Sequence, residues 1–108
     1  MTFLRTPTHR EPTHPGEVLF EEFLSPLNLT QADVAERIGV SYPRLNELIH
    51  GKRGVTTDTA LRLSKLLGTT PEFWLNLQLT YDLYQAQHSS EANEIRHIKP
   101  LAYAHAGR

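Results

Sequence analysis

The sequence predicts an all-α domain of five short helices, and three observations predict it. Apolar residues recur at helical spacing, as in Val34, Ala35 and Ile38 and again in Leu45, Leu48 and Ile49. Successive stretches open on a capping hydroxyl and close on glycine: Thr30 with Gly39, Ser41 with Gly51, Thr56 or Thr57 with Gly68. The length, 108 residues, suits one domain.

Taken in order, residues 1–13 lack periodicity and are expected to be a flexible arm. Pro15 then occupies a first helical position, with Glu17 complementing the dipole, and Val18, Leu19 and Phe23 form an apolar stripe over 15–24. Pro26 is expected to stop that helix by pushing its predecessor out of the α region. Thr30 caps the second helix, with Asp33 as a capping-box-like partner, and Gly39 ends it. Ser41 follows almost at once, and Tyr42-Pro43 opens a third helix. Lys52-Arg53-Gly54 reads as a basic loop. A fourth helix carries Ala60, Leu61, Leu63, Leu66 and Leu67 as its apolar face.

Thr70-Pro71-Glu72 starts the fifth helix, which runs to about Gln87. It is apolar around much of its circumference, so it is buried on more than one side or meets another chain. Trp74, Leu77, Tyr81 and Tyr84 are the expected dimerisation residues. The domain proper therefore spans 14–87. Residues 88–108 read as a polar tail in which the run from Ile95 to Pro100 is an edge strand or carries no regular structure.

Composition narrows the function. At 39% hydrophobic and 21% charged the chain is neither collagen-like nor wholly disordered. The absence of cysteine removes disulfides, thiolate zinc sites and cysteine nucleophiles. No apolar run could span a bilayer, and the N-terminus lacks a secretory h-region, so a cytoplasmic protein is expected. The six histidines (His9, His14, His50, His88, His97, His105) show no metal-ligand spacing, and Ser41 has no neighbouring base. Neither enzyme chemistry, metal nor cofactor is expected. Net charge is −1, yet residues 30–70 are net basic through Arg37, Arg44, Lys52, Arg53, Arg62 and Lys65. A phosphate-facing surface belongs there.

The bend at Gly39 supplies the motif. Small Ala35 lets the next helix cross closely, Gly39 provides a left-handed turn, and Leu45 and Leu48 pin the following helix to the core. These are the demands of a helix-turn-helix, whose second helix is presented to a DNA major groove. With Leu45, Leu48 and Ile49 inward, the outward face holds Ser41, Tyr42, Pro43, Arg44 and Glu47, flanked by Asn46. Arg44 suits a guanine, and Ser41 and Tyr42 suit neighbouring base edges. Glu47 either accepts from a cytosine or orients Arg44. Gln31, Lys52 and Arg53 are placed for phosphates.

Longer strings then carry a resemblance. His14-Pro15-Gly16-Glu17, Leu29-Thr30-Gln31-Ala32, Arg44-Leu45-Asn46-Glu47-Leu48 and Gly51-Lys52-Arg53-Gly54-Val55-Thr56 belong to one pattern. Asp58-Thr59-Ala60-Leu61-Arg62-Leu63 and the run from Gly68 to Gln78 continue it. Together they resemble the HigA, or VapI, addiction-module antidotes, a branch of the XRE/Cro-type regulators, over roughly residues 14–84. The resemblance implies a five-helix Cro/lambda-repressor-like domain that homodimerises on an inverted-repeat operator and represses its own operon. It also implies neutralisation of a HigB-type toxin that cleaves messenger RNA, and no catalytic site. On the residues alone, a stand-alone XRE-type repressor and a helical adaptor that never touches DNA remain open.

Overall fold

The computed structural model describes residues 10–102, which form six helices and no strand among the described residues. They are α1 (residues 15–27), α2 (Gln31–Ile38), α3 (Tyr42–Ile49), α4 (Thr57–Leu67), α5 (Pro71–Gln87) and α6 (Glu91–Arg96). Hydroxyl caps stand where the sequence places them. Thr30 Oγ1 accepts from the Asp33 amide at 3.0 Å, Ser41 Oγ from Arg44 at 3.2 Å and Thr70 Oγ1 from Phe73 at 3.1 Å. Of the two candidates for α4 it is Thr56 that caps, accepting from the Thr59 amide.

The first helix departs from expectation. It does not stop at Pro26 but continues to Leu27, and its middle, Leu19–Leu24, is a π-helix. Residues five apart diverge by about 140° on an α-helix. The wider π turn brings Leu19 and Leu24 onto one face, and both are fully buried. The same widening precedes the proline, whose ring clashes with the carbonyl four residues back in a regular helix. The stop comes at Asn28, in the left-handed region at φ 61°, where the Leu29 amide reaches back to the Leu24 carbonyl at 2.9 Å.

The core forms where the helices meet. Leu19 and Leu24 of α1 pack with Val34, Ala35 and Ile38 of α2 and with Leu45 and Leu48 of α3. Val55, Ala60, Leu63 and Trp74 complete it. Trp74 is fully enclosed, with Phe23 and Phe73 5.4 and 5.0 Å away by ring centroid, and its indole N–H donates to Thr69 Oγ1 at 2.7 Å. Leu61, expected in the core, faces outward, because Ala60 and Leu63 define the buried stripe of α4 and the neighbouring position lies about 100° off it.

The ends also differ from the sequence reading. Of the arm, 1–9 lies outside the described residues, whereas 10–13 lies by α5, tied by a 2.6 Å hydrogen bond from Gln85 Nε2 to Glu11 Oε2. The tail contains helix α6 ahead of the run from Ile95 to Pro100, of which it takes only Ile95 and Arg96; no strand forms there, and residues 98–100 carry no regular structure. Ala92 packs inward from α6, whereas Ile95 and Ile98 of that run stay exposed, so no buried face holds it as a strand. Residues 103–108 lie outside the described residues.

Candidate nucleic-acid interface

Helices α2 and α3 are joined by Gly39, Val40 and Ser41 alone. Gly39 sits at φ 76°, a left-handed conformation that costs other residues steric strain. Its amide and that of Val40 both reach the Ala35 carbonyl, at 2.9 and 3.0 Å, and thereby tie off the end of α2. Arg62 reaches across from α4 to donate to the last carbonyl, Ile38 O, at 2.7 Å. The elbow is held from both sides.

Helix α3 turns Leu45 and Leu48 inward and leaves Ser41, Tyr42 and Pro43 exposed, so its N-terminal end is not covered by its own chain. Arg44, Asn46 and Glu47 are partly exposed on the same side. Pro43 lies in the first turn of α3, where a missing N–H costs nothing. Asn46 Nδ2 donates to Gln31 Oε1 at 2.8 Å, so the two helices of the motif share a side-chain bond. Gln31 opens α2, where free helical amides and the dipole favour an anion.

Charges pair differently from the sequence reading. Glu47 does not meet Arg44. It accepts instead from Arg53 Nε and Nη2 at 3.1 and 2.9 Å. Six residues and a turn separate this pair, whereas an Arg44 contact would have been local. Arg44 turns toward α4: its Nη2 donates to Thr59 Oγ1 at 3.1 Å and lies 3.6 Å from Asp58 Oδ2. Lys52 keeps an exposed ammonium with no side-chain partner among the described residues.

Two residues outside the expected set hold this surface in place. Gly16 lies against the end of α3 so closely that an added Cβ would fall 1.8 Å from the Leu48 carbonyl oxygen. A glycine in the first turn of a helix is costly, which is itself a signal of close approach. Gln78 of α5 accepts from the Val55 amide at 2.6 Å and fills the space beside Gly54, bracing the basic loop from behind. No sequence signal marks it, since 23 residues separate the partners. His14 Nδ1 accepts from the Gly16 amide at 2.9 Å while the ring meets Tyr81 edge-on at 4.8 Å. Burial pulls the His14 imidazole below its ordinary pKa, against the opposing charges of Asp82 and Glu17. His50 Nδ1 lies 2.9 Å from the Asn46 carbonyl, donating at the end of α3.

The expected dimerisation set is corrected in part. Trp74 is 0% exposed and cannot meet another chain, and Leu77 packs against its own core. Tyr81 contacts His14 and Tyr84 stacks on His88 at 3.9 Å. The outward stripe of α5 is instead Leu79 and Leu83, 55% and 50% exposed, one helical turn apart. With Ala86 and with Ala92 and Ile95 of α6, Leu83 lines a shallow apolar groove of about 290 Å³. A helix apolar all round offers no periodic clue to which face turns inward.

Two short capped helices meeting at a glycine elbow, with the second exposed beside a basic loop, define a helix-turn-helix protein. The helix-turn-helix family model matches residues 21–74. Virulence-associated protein I of Dichelobacter nodosus is 43% identical over 89 residues, 82% of this chain and 81% of that protein. Antitoxin HigA-1 of Vibrio cholerae is 41% identical over 95 residues, 87% and 88% of the two chains. Among solved structures, antitoxin GraA aligns with a TM-score of 0.80 at 42% identity, covering 85% of this chain and 99% of GraA. Pseudomonas aeruginosa antitoxin HigA with the higBA promoter aligns at 0.78 and 37% identity, covering 83% and 98%. The chain belongs to the HigA antitoxin family of XRE-type helix-turn-helix proteins. That family is one of regulators, not a class of enzymes.

Proposed function

We propose that this chain is the antitoxin of a toxin–antitoxin pair and binds its own operator as a homodimer. The exposed N-terminal end of α3 carries the proposal: Ser41, Tyr42 and Pro43 stand clear of the core, Arg44 beside them is partly exposed, and Lys52 is exposed in the loop that follows the helix. Two solved relatives support it, antitoxin GraA in complex with its operator at a TM-score of 0.79 and antitoxin HigA with the higBA promoter.

In the bound state α3 lies in a major groove. Ser41, Tyr42 and Arg44 read base edges, with Asn46 at the flank. Gln31 and Lys52 take phosphates, and Pro43 sets the helix start rather than touching a base. Arg53 contributes to phosphate binding while keeping Glu47 neutralised; a bare Glu47 would repel the DNA backbone. The chain acts by binding, and among the described residues no group of histidine and carboxylate side chains could hold a metal ion.

Two copies join through the Leu79 and Leu83 stripe and the groove against α6, an isologous contact that sets the recognition helices roughly 34 Å apart. The operator is then an inverted repeat. Neutralisation of a HigB-type toxin follows from the family.

A gel shift with the DNA upstream of this reading frame tests the binding. A retarded band that a scrambled duplex does not give is expected, and equal binding to both would refute the reading. Co-expression with the product of the adjacent reading frame tests the antitoxin role. Growth arrest without this chain and recovery with it is the expected result.

A further inference from the structure

We propose that Asp58 is a positioning residue that keeps the Arg44 guanidinium off the DNA phosphates and aimed at a base, a proposal that rests on the DNA-binding reading above. The observation is a chain of contacts that joins both sides of the elbow through one carboxylate. Asp58 Oδ2 accepts from Arg62 Nε at 2.9 Å and lies 3.6 Å from Arg44 Nη2. Arg62 in turn donates to Ile38 O, the last carbonyl before the Gly39 turn. Arg44 stands on the far side of that turn, in the first turn of the recognition helix.

The support beneath Arg44 is buried and hydrogen-bonded. Thr59, which accepts from Arg44 Nη2, is buried, and its hydroxyl also accepts from Thr56 Oγ1 at 3.2 Å. Arg44 is therefore held by a single nitrogen. Its Nε and Nη1 make no hydrogen bond among the described residues, and the side chain is 36% exposed. A guanidinium held at one corner retains the fork of donors that suits a guanine edge.

The charge matters as much as the geometry. Phosphate attraction is independent of sequence and acts on every cation near the duplex. An unpartnered arginine at the groove edge would settle on the nearest phosphate and strengthen binding to any DNA. Asp58 offsets that pull locally, so Arg44 gains most when a base supplies matched acceptors. The carboxylate suppresses non-specific binding and so raises discrimination.

The test is Asp58→Asn, which keeps the shape and one acceptor oxygen and removes the charge. Binding is measured by fluorescence anisotropy against the upstream duplex and a scrambled duplex across a salt series. Asn is expected to tighten binding to the scrambled duplex several-fold and steepen the salt slope by about one, while the preference for the upstream duplex falls by ~10-fold. Placing Asp58→Asn on an Arg44→Ala background should abolish these changes, because the residue acts through Arg44. Thr59→Val, which removes the acceptor and keeps the charge, should lower the preference with the salt slope unchanged.

An ion pair that serves only the fold would lower the melting temperature in Asp58→Asn and leave both the preference and the slope alone. That outcome overturns the proposal. Should the wild-type chain itself show no preference for the upstream duplex, the DNA-binding reading fails, and this proposal with it. Wild-type preference carried unchanged into Asp58→Asn overturns the positioning role alone.

Discussion

Replacing Gly16 by alanine tests the seat of the recognition helix. The added methyl would lie 1.8 Å from Leu48 O, 2.6 Å from Leu48 C and 2.9 Å from Ile49 Cα. All three are backbone atoms at the end of α3, so no side chain can swing aside. Helix α1 or α3 must move by on the order of 1 Å in a close-packed interior. Overpacking of this kind costs at the upper end of its usual range, about 3 kcal/mol. In a domain of this size that is a fall of roughly 12–24 °C in Tm, read by circular dichroism. Gly68→Ala is the control: Gly68 sits at positive φ, 76°, where Gly16 does not, and a Cβ there meets nothing within 4 Å, so it reports backbone strain without a clash. Backbone strain alone there is about 1 kcal/mol. If Gly16→Ala costs no more than Gly68→Ala, the close approach of α1 to α3 does not hold the recognition helix and the reasoning fails.

The other expectations concern the faces of α5, the histidine cap and the DNA surface. Trp74→Ala should destabilise the fold by about 3–5 kcal/mol in denaturant titration. Leu79→Asp with Leu83→Asp should instead leave a folded chain that light scattering reports as a monomer; retained dimer would move the interface elsewhere. His14 has a folded pKa below its ordinary 6.5, so the unfolded chain takes up the proton more readily. Its contribution to stability is fully present above 6.5, is lost as pH falls from there through the folded value, and then stays constant. His14→Asn, which keeps a cap acceptor, should flatten that part of the stability curve in melts across pH. Lys52→Ala should weaken binding to all duplexes alike and reduce the salt slope by about one. Arg44→Ala should cost ~1–3 kcal/mol on the operator and relax one base position in a selection experiment.

Much of this molecule is legible along the chain because its devices are local. Thr30, Ser41 and Thr70 each bond an amide three residues on, and Gly39, Gly51 and Gly68 take the left-handed turn that ends each helix. Such contacts depend on residue type and a spacing of three or four, so helix boundaries and the elbow follow from composition and order. The outward set on α3 follows as well, since Leu45 and Leu48 fix its rotation. Pro26 misled because its usual effect presumes an α-helix, and the π turn before it removes the clash.

What remained hidden involves choices between equals. Helix α5 is apolar around much of its circumference, so only packing reveals that Trp74 turns in and Leu79 and Leu83 turn out. Glu47 had two arginines within reach and Arg44 two carboxylates; only the folded chain shows that Glu47 takes Arg53 of the following loop and Arg44 takes Asp58 and Thr59 of α4. The sequence alone determined that short capped helices meet at a glycine elbow, because hydrogen bonds within a few residues need no knowledge of the rest of the chain. Only the tertiary structure decided which side chains face one another across helices, because that depends on how each helix is rotated and how closely its neighbour approaches, as Gly16 against Leu48 does.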